Sequence, residues 1–147
     1  MILLDTNVIS EPWKPAPDTA VLAWLDAQAI ETLFISAISI AELRFGVASM
    51  PAGKRQAILH DRLEGEVLPL FDGRILPFKA GTSKFYADPM ASGRTSGKAI
   101  GKADGYIAAT AAENRLAVAT RETSQFEEAG LRVINPWAAL ASKIAGR

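Results

Sequence analysis

Asp5, Glu42, Asp104 and Glu122 are the residues of this 147-residue chain whose types and surroundings could do chemistry together. Asp5 directly follows the apolar run Ile2-Leu3-Leu4. Glu42 closes Ser39-Ile40-Ala41-Glu42, Asp104 opens an alanine-rich stretch, and Glu122 follows the Leu116 to Ala119 run after Thr120-Arg121. Carboxylates held close repel one another, and the low-cost ways to neutralise them are protonation or a divalent cation. Hard oxygen donors favour Mg²⁺ or Mn²⁺, with waters completing the octahedron. Such an ion polarises a phosphoryl oxygen and lowers the pKa of a bound water, giving a nucleophile without histidine. That is the chemistry of phosphodiester hydrolysis. Each acid alone also has a structural reading. Asp5 would cap a helix at Thr6-Asn7-Val8, Ser39 and Glu42 match a capping box, Asp104 is another cap candidate, and Glu122 is an exposed acid near a turn.

Composition removes the competing chemistries. There is no cysteine, so disulfides, thiolate zinc sites and a thiol nucleophile are excluded, and a single histidine, His60, rules out a multi-histidine metal site. Lys+Arg and Asp+Glu both number 16, so attraction for a polyanion must come from a local patch. At 49% hydrophobic and 22% charged residues, the chain can bury a sizeable core. The length fits one domain over 1–147, with about 138–147 as a terminal tail or short helix. The start carries no basic region before Asp5, and the apolar stretch from Leu33 to Ile40 is too short to span a membrane, so a cytoplasmic location with no membrane partner is expected.

The acids need elements that deliver them to one place. Ile2 to Leu4, Leu33 to Ile35, Arg74 to Phe78, Leu116 to Ala119 and Arg132 to Ile134 read as short buried strands. Helices are expected after Asp18, across Ser39 to about Ser49, along Leu59, Leu63 and Val67, and from Ala103 to Asn114. Ala91 to Gly101, rich in Gly, Ser, Arg and Lys, reads as an exposed loop. This alternation predicts an α/β fold with a mainly parallel central sheet flanked by helices. In such sheets the ligand site lies outside the carboxyl ends of the strands, where Asp5 and Glu122 emerge.

Around the acids, Arg94, Lys98, Lys102 and Arg121 form a candidate basic rim for a phosphate backbone, or ordinary surface charge. His60 shares a helix face with Glu64 and is expected to pair loosely with it. Trp13, between Pro12 and Pro15, is the best candidate for an interface residue, while Trp24 and Trp137 read equally as core.

Several blocks together resemble a known family: Met1-Ile2-Leu3-Leu4-Asp5-Thr6-Asn7-Val8-Ile9-Ser10-Glu11-Pro12, Ser39-Ile40-Ala41-Glu42-Leu43, Ala103-Asp104-Gly105-Tyr106-Ile107-Ala108-Ala109-Thr110-Ala111, Ala119-Thr120-Arg121-Glu122 and Ile134-Asn135-Pro136-Trp137. Their order and spacing resemble PIN-domain ribonucleases of the VapC toxin type, in particular the FitB subgroup. The resemblance implies a Mg²⁺- or Mn²⁺-dependent endoribonuclease, the toxin of a type II toxin–antitoxin pair. It matches Asp5, Glu42 and Asp104 to the first three family acids and Glu122 to the fourth. At that fourth position Asp is usual, and many relatives carry the acid a few residues later, where this chain has Gln125. Asn7 and Thr120 match polar positions that support the acids, and Arg121 adjoins them. The resemblance further implies a homodimer and a small DNA-binding antitoxin, with higher-order complexes on operator DNA. Its tail would lie along the toxin and send an Arg toward the acids, with Trp13, Leu43 and Phe45 as apolar contacts.

Two other functions fit the same residues. One is a weakly active or non-catalytic PIN module acting mainly as antitoxin partner and transcriptional co-repressor. The other is a haloacid-dehalogenase-like phosphatase with Asp5 as nucleophile, against which Asn7 stands where that pattern wants a second Asp.

Overall fold

In the computed structural model, which describes residues 1–138, five strands form one parallel sheet. They are β1 (Ile2–Leu4), β2 (Leu33–Ser36), β3 (Ile75–Leu76), β4 (Ala117–Ala119) and β5 (Val133–Ile134), ordered β3-β2-β1-β4-β5. All pairings are parallel, with Leu3 opposite Phe34 on one side and Val118 on the other. The expected parallel α/β architecture is therefore present, with the third strand shorter than the Arg74 to Phe78 run. Of the tail or short helix expected over 138–147, residues 139–147 lie outside the described residues.

The strands are short apolar runs because both sheet faces are covered. Side chains alternate across a strand, so Leu3 and Val118 enter one core with Ile107, Ala111 and Phe126, while Leu4 and Ala119 enter another with Val8, Ile35, Leu43 and Leu63. A fully buried Leu, Ile or Phe side chain contributes roughly 1.5–3 kcal/mol, and Leu3, Ile35, Ile107 and Phe126 are completely enclosed. The second core also holds the partly buried Trp13, Trp24 and Trp137.

Helices α1 (Thr6–Ser10), α2 (Thr19–Asp26), α3 (Ala37–Ala48) and α4 (Lys54–Arg62) follow in the first half. Asp5 caps α1 and Asp18 caps α2, as the sequence indicates. The start of α3 differs from the expected capping box: Ser36, not Ser39, accepts the N–H of Ser39, so the helix begins at the end of β2 and Glu42 is released from any capping duty. After α4 the backbone widens into a π turn over Leu63–Val67 before the short α5 (Leu68–Leu70). His60 does not pair with Glu64, whose carboxylate is gripped by Arg44 at 2.8 and 2.9 Å; the imidazole lies 3.4 Å from Asp61 instead.

The second half holds α6 (Thr82–Thr95), α7 (Lys102–Glu113) and α8 (Thr123–Glu128). Here the sequence reading needs correction, since the first part of the expected loop Ala91 to Gly101 is the last turn of α6. Tertiary contacts override its Gly and Ser content. Tyr86 stacks on Tyr106 of α7 with ring centroids 4.6 Å apart, and Gly93 lets the carbonyl of Lys98 approach, since a Cβ there would lie 2.7 Å from that oxygen. No helix among the described residues is long and apolar enough to cross a membrane.

Candidate active site

The strand order reverses between β1 and β4, and in open α/β sheets a crevice forms beyond the strand ends at such a point. Asp5 leaves β1 there and Thr120 leaves β4. The Asp5 N–H donates to the Ala119 carbonyl at 2.9 Å, which locks the two exits together. Asp5 is only 3% exposed. Its Oδ1 accepts the Thr6 N–H and its Oδ2 accepts the Thr120 hydroxyl, both at 2.8 Å. Burial nevertheless raises its pKa from 3.8 to about 6, helped by the charges of Asp104 and Glu42 and opposed by the two hydrogen bonds.

Glu42 reaches the same crevice from the second turn of α3, where its Oε1 accepts the Thr6 hydroxyl at 2.7 Å. Asp104 stands in the first turn of α7, a position where the helix dipole favours negative charge. Burial still raises its pKa, as do Glu42 and Glu122, while a hydrogen bond from the Gln125 side chain lowers it. Glu122 precedes α8 and is exposed; its N–H donates to the Thr120 hydroxyl oxygen at 2.9 Å. The electrostatic coupling thus links Asp5 to Asp104 and Glu42, and Asp104 to Glu42 and Glu122.

Neighbouring acids are not yet a closed cage. Among the described residues, no three Asp, Glu or His side chains are set closely enough to hold a metal ion by themselves. Two of the acids are tied to hydroxyl donors, Asp5 to Thr120 and Glu42 to Thr6. The donor chemistry suits a hydrated Mg²⁺ or Mn²⁺, which commonly takes one or two protein carboxylates and keeps several waters. A further hard oxygen, Oδ1 of Asn7, is buried in the first turn of α1 without a hydrogen-bond partner.

The surroundings divide the other candidates. Thr120 joins the acids directly. Arg121 is turned toward the chain end, with its guanidinium 5.2 Å from the centre of the Trp137 ring. Of the expected basic rim, Lys98 pairs with Glu128 at 3.3 Å, Arg94 lies in the last turn of α6, and Lys102 begins α7. Trp13 and Leu43 line a groove of about 320 Å³ together with Met50, Arg55, Leu59, Thr6 and Glu42. Phe45 is not in that groove lining; it is 74% exposed on α3. Nothing in the sequence marks Thr6 or Ser39 as part of the site, and Gln125 stands out only where relatives carry an acid. The hydroxyl-bearing pair Thr6 and Ser39 was hidden because its sequence neighbourhood reads as helix starts.

Comparison with known proteins identifies the family. The PIN domain family model matches residues 2–130. The chain is 68% identical to the VapC ribonuclease Y4jK of Sinorhizobium fredii, over 93% of this chain and 98% of that protein. It is 54% identical to the toxin FitB of Neisseria gonorrhoeae, over 93% and 99% respectively. A solved structure of FitAB bound to an IR36 DNA fragment superposes with a TM-score of 0.90 at 52% identity, covering 93% of this chain and 96% of that one. These likenesses leave the phosphatase alternative without support. The chain belongs to the PIN-domain family, among its VapC and FitB toxins.

Proposed function

We propose that this chain is the nuclease toxin of a toxin–antitoxin pair and that it hydrolyses RNA phosphodiester bonds with Mg²⁺ or Mn²⁺. The observation that carries the reading is that Asp5 and Glu42 meet at Thr6 beyond the carboxyl ends of the strands, the Thr6 N–H donating to one and its hydroxyl to the other, with the charges of Asp104 and Glu42 helping to raise the Asp5 pKa. Ground-state repulsion of this kind has a function when a cation and a phosphodiester occupy the crevice.

In this reading Asp5, Asp104 and Glu122 would hold the cation directly or through water. When bound, the ion supplies polarisation of a phosphoryl oxygen and acidification of a water. Thr6 and Thr120 fix both oxygens of Asp5, so the carboxylate keeps one orientation while its charge is neutralised. Glu42 has Oε1 occupied by Thr6, which leaves Oε2 to help hold the cation through water, and to orient the attacking water and accept its proton. With one histidine in the chain and that one beside Asp61, the pH dependence follows the acids.

The partner in this reading is a small DNA-binding antitoxin, and the assembly is a homodimer of toxin that joins larger complexes on operator DNA in the cytoplasm. The FitAB complex on DNA supports it, as does the Trp13 and Leu43 groove, which has Glu42 in its lining and would receive an antitoxin tail bearing an Arg. A second reading, a weakly active module that mainly serves as co-repressor, is favoured by one fact: among the described residues no three acids are grouped so that they could hold a metal ion by themselves.

The test is incubation of the antitoxin-free chain with total RNA in Mg²⁺, Mn²⁺ or EDTA, beside an identically purified Asp104→Asn variant. Metal-dependent cleavage confined to the wild type is expected. Equal silence of both proteins, with antitoxin binding retained, would replace the nuclease reading by the co-repressor one.

A further inference from the structure

We propose that Ser36, Ser39 and Thr6 form a one-directional chain of hydroxyl groups that positions Glu42; the inference rests on the reading of Glu42 as part of the nuclease centre. Oxygen separations are 3.3 Å from Ser36 to Ser39, 3.1 Å from Ser39 to Thr6, and 2.7 Å from Thr6 to Glu42 Oε1. Ser36 and Ser39 are completely buried, so water does not complete their bonding.

The direction follows from valence. A carboxylate only accepts, so the single Thr6 hydroxyl proton goes to Glu42. The contact between Thr6 and Ser39 then requires the Ser39 proton, and the contact between Ser39 and Ser36 requires the Ser36 proton. Ser36 Oγ in turn accepts the Ser39 backbone N–H at 3.0 Å. Every hydroxyl proton is used once, and all the dipoles point toward the Glu42 charge. Chains aligned in this way polarise one another, so each bond strengthens the next.

This explains the departure at the start of α3. A capping box would place the Ser39 hydroxyl on the backbone and turn Glu42 back toward the helix start. With Ser36 as the cap, Ser39 and Glu42 are free to act in the crevice, and α1 and α3 are joined through Thr6. The far end of the chain is a buried serine whose hydroxyl oxygen meets a backbone donor. It therefore has no group to deliver or receive a proton, and it acts by orientation. Ser36, Ser39 and Thr6 are positioning residues, and Glu42 is the group they aim.

The experiment is a double-mutant cycle on the full chain with two readouts: cleavage of total RNA in Mn²⁺, and Mn²⁺ affinity measured by paramagnetic resonance of the free ion. Ser39→Ala and Thr6→Val are each expected to weaken at least one readout about tenfold, the scale typical of groups that orient metal-site ligands. Thr6→Ser, which keeps the hydroxyl, is expected to stay near wild type. In a Glu42→Ala background both losses should disappear, because there is no carboxylate left to aim. Wild-type behaviour of Ser39→Ala and Thr6→Val, or equal losses with and without Glu42, would overturn the proposal. Thr6 is partly exposed, so Thr6→Val decides the matter if Ser39→Ala does not fold. A wild-type chain that cuts no RNA would sink the nuclease reading, while the Mn²⁺ cycle would still decide the role of the hydroxyl chain.

Discussion

Thr120 donates its hydroxyl to Asp5 Oδ2 at 2.8 Å across 115 positions of sequence, and its oxygen accepts the Glu122 N–H at 2.9 Å. One side chain therefore ties the end of β1 to the end of β4 and also sets the entry to α8. Because Thr120 and Asp5 are both buried, deleting the hydroxyl leaves a carboxylate oxygen without its hydrogen-bond donor in a poorly solvated place. Thr120→Val is expected to cost about 1–3 kcal/mol at neutral pH, read by urea unfolding, with Thr120→Ser close to wild type. Equal stability of the Val and Ser variants would show that the bond contributes nothing.

The raised pKa of Asp5 sets a pH dependence with a definite sign. The folded chain holds this proton up to about pH 6, whereas an unperturbed Asp releases it near 3.8. Between those values the folded state binds more protons than the unfolded one, so metal-free stability falls as pH rises. At ~1.4 kcal/mol per pH unit the Asp5 contribution is about 3 kcal/mol, and Asp104 adds in the same direction. Melting temperatures in EDTA should therefore drop between about pH 4 and pH 6 more steeply in wild type than in Asp5→Asn. Parallel curves for the two proteins would refute this.

Gly93 and Gly46 make opposite predictions from the same substitution. A methyl at Gly93 meets the Lys98 carbonyl at 2.7 Å, a backbone atom that cannot rotate away, while nothing lies within 4 Å of one at Gly46 in α3. Gly93→Ala is expected to lower stability by about 1–3 kcal/mol and to displace the segment leading to Asp104. Gly46→Ala should raise stability by roughly 0.5–1 kcal/mol through helix propensity. Thermal unfolding of both variants checks the pair, and stabilisation by Gly93→Ala would contradict the close approach.

What the sequence made legible followed from backbone periodicity and strand ends. Ile2 to Leu4 and Leu116 to Ala119 are continuous apolar runs because both faces of the sheet are covered, and an acid or hydroxyl after such a run must emerge at the sheet edge. Asp5 and Thr120 were readable for that reason. The last turn of α6 was not, because Gly93 and its serine neighbours look like a loop until Tyr106 and the Lys98 carbonyl are packed against that helix. Thr6 and Ser39 were obscured differently. A serine three residues before a glutamate satisfies the local capping pattern, and only the three-dimensional approach of α1 to α3 gives that serine its contact with Thr6.

Asp104 provides the sharpest separation between a stability role and a metal role. Its charge is disfavoured by burial, by Glu42 and by Glu122, so neutralising it relieves repulsion in the metal-free protein while removing a hard oxygen ligand. Asp104→Asn is expected to melt higher than wild type in EDTA at pH 8, and to lose most of the stabilisation that Mn²⁺ gives the wild type. Binding to the folded state alone stabilises by about 2.7 kcal/mol at a hundredfold excess over Kd, well within the reach of a melting experiment. A variant that melts lower in EDTA yet gains as much from Mn²⁺ would assign Asp104 to structure, and would leave the cation to acids elsewhere in the crevice.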